Sequence, residues 1–238
     1  MGWSSCYTKQ RINYCRLLCR IIRTDNTRKC HKIWRWTLRR RKGWSFEVHK
    51  TIDQLQVREI VYDDTKSTKC AMRTIIDKLN EQDNIEWHND LHNDRANVQN
   101  GNKLRTYRLY KNSVEVESYV KTNIPRMERR TMALFRSGSL PLAYETGRYS
   151  RPPVPINDRL CTLCDNNAIE TEKHFFMECP LYSDLRFDLF SECTKSINNF
   201  NVLNTDQKFY SIMTSQDVQR YACKYIHKFY MRRKLFLP

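Results

Sequence analysis

Across 238 residues the chain carries 42 Lys plus Arg against 26 Asp plus Glu, a formal charge of +16, and it has ten cysteines. The length allows one well-cored domain or two smaller ones, and the charge calls for a polyanionic partner, most simply nucleic acid. No membrane span or secretory leader is expected, because the apolar runs Leu17-Leu18-Cys19 and Ile21-Ile22 are cut by arginines and fall far short of either.

The expectation is therefore a cytoplasmic or nuclear chain, not secreted, with no membrane partner. Its cysteines would persist as thiols or metal thiolates rather than disulfides. Charge is unevenly spread. Residues 1–50 hold 14 basic and 2 acidic side chains, 51–102 hold 6 and 10, 103–160 hold 12 and 5, and 161–238 hold 10 and 9. Basic surface is thus concentrated at the N-terminus and in the approach to residue 161.

Helical periodicity dominates. Ile12, Cys15, Cys19 and Ile22 share a stripe, with Leu18 beside it, which predicts a helix over about residues 9–23. Thr24-Asp25-Asn26 breaks it and offers caps for a second helix reaching Arg41. On that helix Arg28, Lys32, Arg35 and Arg39 recur opposite Ile33 and Trp34. The run Arg39-Arg40-Arg41-Lys42 sets four like charges side by side, which repel unless an anion compensates them. Met72, Ile75, Ile76 and Leu79 form the next stripe, which Trp87 and Leu91 extend.

The Asn-rich residues 89–102 read as a loop and a domain boundary. They separate a basic helical region, 1–100, from a helical domain, 103–238. In the second region Leu104, Tyr107 and Tyr110 predict a helix within 103–119. Pro125 opens another helix through Met132 and Phe135, ending near Gly138. Arg151-Pro152-Pro153-Val154-Pro155 is an extended connector. Tyr182, Leu185 and Leu189 give a short helix, and Val218, Tyr221, Ala222, Tyr225, Ile226 and Phe229 a terminal amphipathic one.

The motif richest in chemistry is Cys161-x2-Cys164 followed by His174 and Cys179. Three thiols and an imidazole at this spacing form a complete tetrahedral zinc set. The intervening Asp165-Asn166-Asn167 is turn chemistry that reverses the chain. A filled shell leaves no place for water, so one structural Zn2+ is expected. The fold class is mainly α, a helical array with a small zinc-knuckle insert near residues 159–182. Of Phe175 and Phe176, at least one is expected to pack beside the metal, leaving the other as a stacking surface.

The context of these ligands carries a resemblance. Leu134-Phe135-Arg136-Ser137-Gly138-Ser139, Leu142-Ala143-Tyr144-Glu145-Thr146-Gly147-Arg148-Tyr149, Arg159-Leu160-Cys161, Ile169 to Phe175, and Cys179-Pro180-Leu181-Tyr182 to Arg186 follow in order. This succession resembles the zinc-binding tail after the polymerase domain of LINE-type (non-LTR) retrotransposon reverse transcriptases. Arg16-Leu17-Leu18 through Lys32-Ile33-Trp34 and Gly43-Trp44-Ser45 is similar to that family's helical linker between polymerase and tail. The resemblance implies zinc ligation by Cys161, Cys164, His174 and Cys179. It also implies a grip on template RNA or target DNA, with the polymerase part of such an enzyme as a further partner.

Catalysis is not expected. Val61-Tyr62-Asp63-Asp64 imitates the aromatic-x-Asp-Asp turn of a polymerase palm, but too few residues and acidic groups precede it for a two-metal site. The expected function is a zinc-stabilised nucleic-acid-binding module without a palm; the alternative is a non-catalytic protein-interaction scaffold. Candidate nucleic-acid contacts are Arg39, Arg40, Arg41 and Lys42, with Arg148, Tyr149 and Arg151, since arginine forks phosphate and tyrosine stacks on an unpaired base. Intramolecular roles stand beside these: Tyr149 in the core and Arg148 paired with Glu145 or Glu170. Cys15, Cys19, Cys30 and His31 can be imagined as a second metal site, but cysteines on an apolar stripe are usually core residues. His88 and His92 lack a third ligand nearby, and His49 and His227 carry no signal.

Overall fold

The computed structural model describes residues 6–92 and 104–237. The chain divides into two compact units, Met1–Asp90 and Leu91–Pro238. Both are helical, and the only β-type pairing among the described residues is an isolated antiparallel bridge between Leu160 and Ile169. No helix there is long and apolar enough to cross a membrane.

The first unit holds α1 (Cys6–Ile22), α2 (Lys29–Arg39), α3 (Trp44–Gln54), α4 (Arg58–Tyr62) and α5 (Thr68–His92). Its core joins Cys15, Leu18 and Cys19 of α1, Trp34 of α2, Val48 and Ile52 of α3, and Ala71, Met72, Ile75 and Leu79 of α5. The α1 and α5 stripes are therefore those that the sequence periodicity predicts. Ile33 departs from expectation. It is exposed while Trp34 is buried, because adjacent helical positions point about 100° apart and only one can face the core. Residues 89–92 continue α5 rather than opening a loop, and residues 93–102 of the expected boundary lie outside the described residues.

The second unit contains α6 (Ser118–Lys121), α7 (Arg126–Arg136), α8 (Ala143–Thr146), α9 (Ser183–Ser196), α10 (Thr205–Thr214) and α11 (Gln219–Phe236). Here α11 is the hub, packed by α6, α7, α9 and α10. Pro125 stands immediately before α7, in extended backbone at φ −51° and ψ 140°. Between residues 104 and 117 the expected helix is replaced by one 3-10 turn, Tyr107–Leu109. The apolar side chains there cannot share a buried stripe: Leu104 and Leu109 are exposed and Tyr110 is buried. The alternating Val114-Glu115-Val116-Glu117 then disfavours helix. Glu117 instead receives Lys111 at 3.0 Å and Arg136 at 2.9 Å, and the Arg136 guanidinium lies 4.3 Å from the Tyr110 ring centre.

Candidate metal centre

A short hairpin presents the first two ligands. Around the Leu160–Ile169 bridge, Cys161 N–H donates to the Ala168 carbonyl at 2.8 Å and Glu170 N–H to the Arg159 carbonyl at 3.0 Å. Asn167, at φ 45°, makes the left-handed turn that asparagine tolerates. The hairpin tip carries Cys161 and Cys164.

The other two ligands sit at the ends of one wide turn. His174–Glu178 is a single π-helical turn, closed by Cys179 N–H donating to the His174 carbonyl at 2.8 Å. The turn starts on Thr171, whose hydroxyl accepts the His174 N–H at 3.1 Å. Arg186 of α9 ends it, donating to the carbonyls of Phe176 at 3.0 Å and Cys179 at 2.7 Å.

The ligand atoms of Cys161, Cys164, His174 and Cys179 lie within 4.8 Å of one another. His174 Nε2 is 3.4 Å from Cys164 Sγ. Tetrahedral bonds of zinc length give ligand–ligand edges of about 3.5–3.8 Å, so the four groups fit one metal ion after small adjustments. The Leu163 amide faces Cys161 sulfur and the Leu181 amide faces Cys179 sulfur, each favouring the thiolate. His174 Nδ1 has no hydrogen bond, with Glu178 Oε2 3.8 Å away. A carboxylate beyond the imidazole is the usual way to orient a metal-binding histidine.

Protonation follows from crowding. The hydrogen bond to Cys179, with burial, pushes the Cys161 thiol up to about 12, and the same bond draws the Cys179 thiol below its ordinary value. Cys179 and Cys161 are buried, as is His174, and Cys164 is half-buried.

The site is welded to the helical core. Phe175 and Phe176 are both wholly buried, so neither is a free stacking surface. They meet Phe135, Tyr182, Phe209 and Phe229 at ring distances between 5.0 and 6.3 Å. Two ion pairs and a buried arginine hold the hairpin from behind. Glu170 receives Arg233 of α11 at 2.8 and 2.9 Å and the Ala143 amide at 2.5 Å. Glu172 receives Arg105 at 2.6 and 2.7 Å, with the Thr106 hydroxyl at 2.9 Å. Arg159 reaches the Val154 and Tyr144 carbonyls, both at 2.9 Å. None of these supports stands out in the sequence, because the partners are up to 67 residues apart.

The candidate nucleic-acid residues fall in both units. Arg39 ends α2, Arg40, Arg41 and Lys42 follow it, and all four are exposed, with Arg40 4.1 Å from the ring centre of exposed Trp36. Arg148 pairs with buried Glu145 at 3.3 Å, and the Tyr149 hydroxyl donates to the same carboxylate at 3.3 Å. The Tyr149 ring itself is 69% exposed, not in the core. Arg151 is exposed.

Cys15 and Cys19 are core residues of α1, while Cys30 is exposed. Cys161, Cys164, His174 and Cys179 form the one ligand group of this kind among the described residues. Asp63 of the palm-like motif caps a turn, accepting the Thr65 amide at 2.8 Å. Comparison with protein-family models, curated proteins and solved structures finds no match for this chain.

Proposed function

We propose that this chain is a zinc-stabilised nucleic-acid-binding module, akin to the tail that follows the polymerase domain in LINE-type reverse transcriptases, and without polymerase chemistry of its own. The observation that carries the reading is the convergence of Cys161, Cys164, His174 and Cys179. Three thiolates and an imidazole select zinc over the hard, oxygen-seeking cations. The complete shell makes the ion a fold element rather than a Lewis acid.

Zinc would close the loop between residues 161 and 179, whose hairpin makes only an isolated bridge of its own. The +16 charge supports an anionic polymer as partner. Arg39, Arg40, Arg41 and Lys42 in one unit, and Arg151 with the Tyr149 ring in the other, are the groups offered to it. Binding dominated by phosphate is salt-sensitive and weakly sequence-selective. By the same resemblance, the polymerase part of such an enzyme is the expected protein partner.

A second reading, a non-catalytic interaction scaffold, draws on the end of α11. Leu235 is 83% exposed there, beside exposed Phe236 and Met231.

Metal analysis and anisotropy titration on the same samples test the first reading. One zinc per wild-type chain is expected, none in Cys161→Ser or His174→Ala, and weaker single-stranded RNA binding in both variants. Unchanged zinc content in either variant would refute the ligand assignment.

A further inference from the structure

One cavity in the first unit has walls unlike those of a leftover packing gap. It has a volume of about 670 Å3 and opens between α2, α3 and α4. Trp34, Phe46 and Tyr62 give it flat aromatic walls, and Arg41, Lys50 and Arg58 line it with charge. Asp53, the one carboxylate in the lining, is already held by Arg58 at 2.8 and 3.1 Å. Arg41 and Lys50 are exposed, so their charge is uncompensated within the lining.

The floor is polar and preset. His49 is buried, with Nδ1 2.6 Å from the Ser45 carbonyl. A carbonyl only accepts, so Nδ1 carries the proton, and Nε2 accepts from the Tyr62 hydroxyl. Both ring nitrogens are thus committed, which fixes the Tyr62 ring. Trp34 stacks on His49 with ring centres 6.0 Å apart and planes at 17°. Trp34 is buried, and its indole Nε1 has no hydrogen-bond partner among the described residues.

The geometry points to a nucleotide pocket, in which an unstacked base lies against Trp34, Phe46 and Tyr62 and its phosphate meets Arg41 and Lys50. Aromatic walls suit any base, because every base has a π-face. An arginine fork suits the phosphate. Arg41 also belongs to the run Arg39-Arg40-Arg41-Lys42, so neighbouring phosphates of a strand find cations beside the pocket. The inference deepens the nucleic-acid reading and rests on it. It names where a free mononucleotide, or one nucleotide of a single strand, is held.

The test photolabels the full zinc-loaded chain with 8-azidoadenosine 5′-monophosphate and maps the modified peptide. Labelling within residues 34–62 is expected, competed by adenosine 5′-monophosphate about tenfold better than by adenosine, since the phosphate contributes charge-assisted contacts. The double variant Arg41→Gln/Lys50→Gln changes only exposed side chains, and should lose about tenfold in labelling. A label elsewhere, or equal labelling of variant and wild type, overturns the pocket.

Competition of the photolabel by oligouridylate, with binding of the fluorescein-labelled strand followed in parallel by anisotropy, separates the two sources. Pocket labelling suppressed by the strand places a strand's nucleotide in the pocket. Pocket labelling that survives a saturating strand assigns it to free nucleotides. Pocket labelling without any strand binding leaves the site standing and removes the nucleic-acid module; strand binding without pocket labelling does the reverse.

Discussion

Glu170→Gln should be the most damaging near-isosteric substitution behind the metal hairpin. Glu170 and Arg233 are both buried, joined by two charge-assisted bonds of 2.8 and 2.9 Å, and Glu170 Oε2 also accepts the Ala143 amide. Glutamine keeps the volume and one acceptor oxygen but removes the charge, leaving the Arg233 guanidinium buried without its counterion. Breaking a buried pair from one side costs about 3–5 kcal/mol, and the retained oxygen puts this case near ~3 kcal/mol. For a unit of this size that is a fall of about 10 °C in Tm. Urea and thermal unfolding of the zinc-loaded chain, followed by far-UV circular dichroism, measure it. Glu170→Gln/Arg233→Met removes both charges and should recover most of the loss. A single variant within about 0.5 kcal/mol of wild type, the ordinary range for surface changes, would refute the argument that this pair anchors the hairpin.

Gly147→Ala should cost about 2 kcal/mol by overpacking, read by the same unfolding curves. A Cβ there falls 2.8 and 2.9 Å from Arg159 side-chain carbons, and Arg159 is buried and held by two carbonyls. Thiol labelling should proceed in three classes, followed by mass spectrometry. Cys6, Cys30 and Cys70 are exposed and react at once. Cys161, Cys164 and Cys179 follow only after chelation. Cys15, Cys19, Cys193 and Cys223 wait for denaturation, since burial raises their thiols, Cys193 and Cys223 to about 12. The Arg232 guanidinium holds the Asp184 carboxyl down at about 2. Because that value is depressed, the pair's contribution is full above the ordinary pKa of about 3.9 and lost as pH falls through about 2. The Tm difference between wild type and Asp184→Asn should therefore shrink across that window; a constant difference would count against the pairing.

The candidate metal centre was legible because its ligand chemistry is local. Cys161 and Cys164 share one turn, and His174 and Cys179 share another. Sequence alone states that these two turns belong together, since only a cation uses all four groups. Helices with a stripe were legible for a similar reason: α1, α5, α7 and α11 bury residues at helical spacing. The 104–117 segment was not, because Tyr110 packs on Arg136 and Tyr107 stands edge-on to Tyr110 rather than along a common helical face. α3 was missed although Val48, Ile52 and Leu55 recur at helical spacing, a signal diluted by Trp44 and Phe46. The supports of the hairpin, and the cavity beside His49, depend on contacts made only once the chain has folded. Tyr62 shows the point. In the sequence it completes a false palm motif, whereas in the fold its hydroxyl serves His49.

The central claim is that one metal ion organises a chain that binds nucleic acid. The most direct measurement is a titration against labelled single-stranded RNA over a salt series, with and without a zinc chelator. Tight binding at low salt that weakens on chelation, as the contribution of the zinc-held unit is lost, is the expected result. The four cations of residues 39–42 alone would set a log–log salt slope of about −3. A folded, zinc-loaded chain that fails to bind at low salt would contradict it, leaving the +16 charge without its partner and the scaffold reading in front.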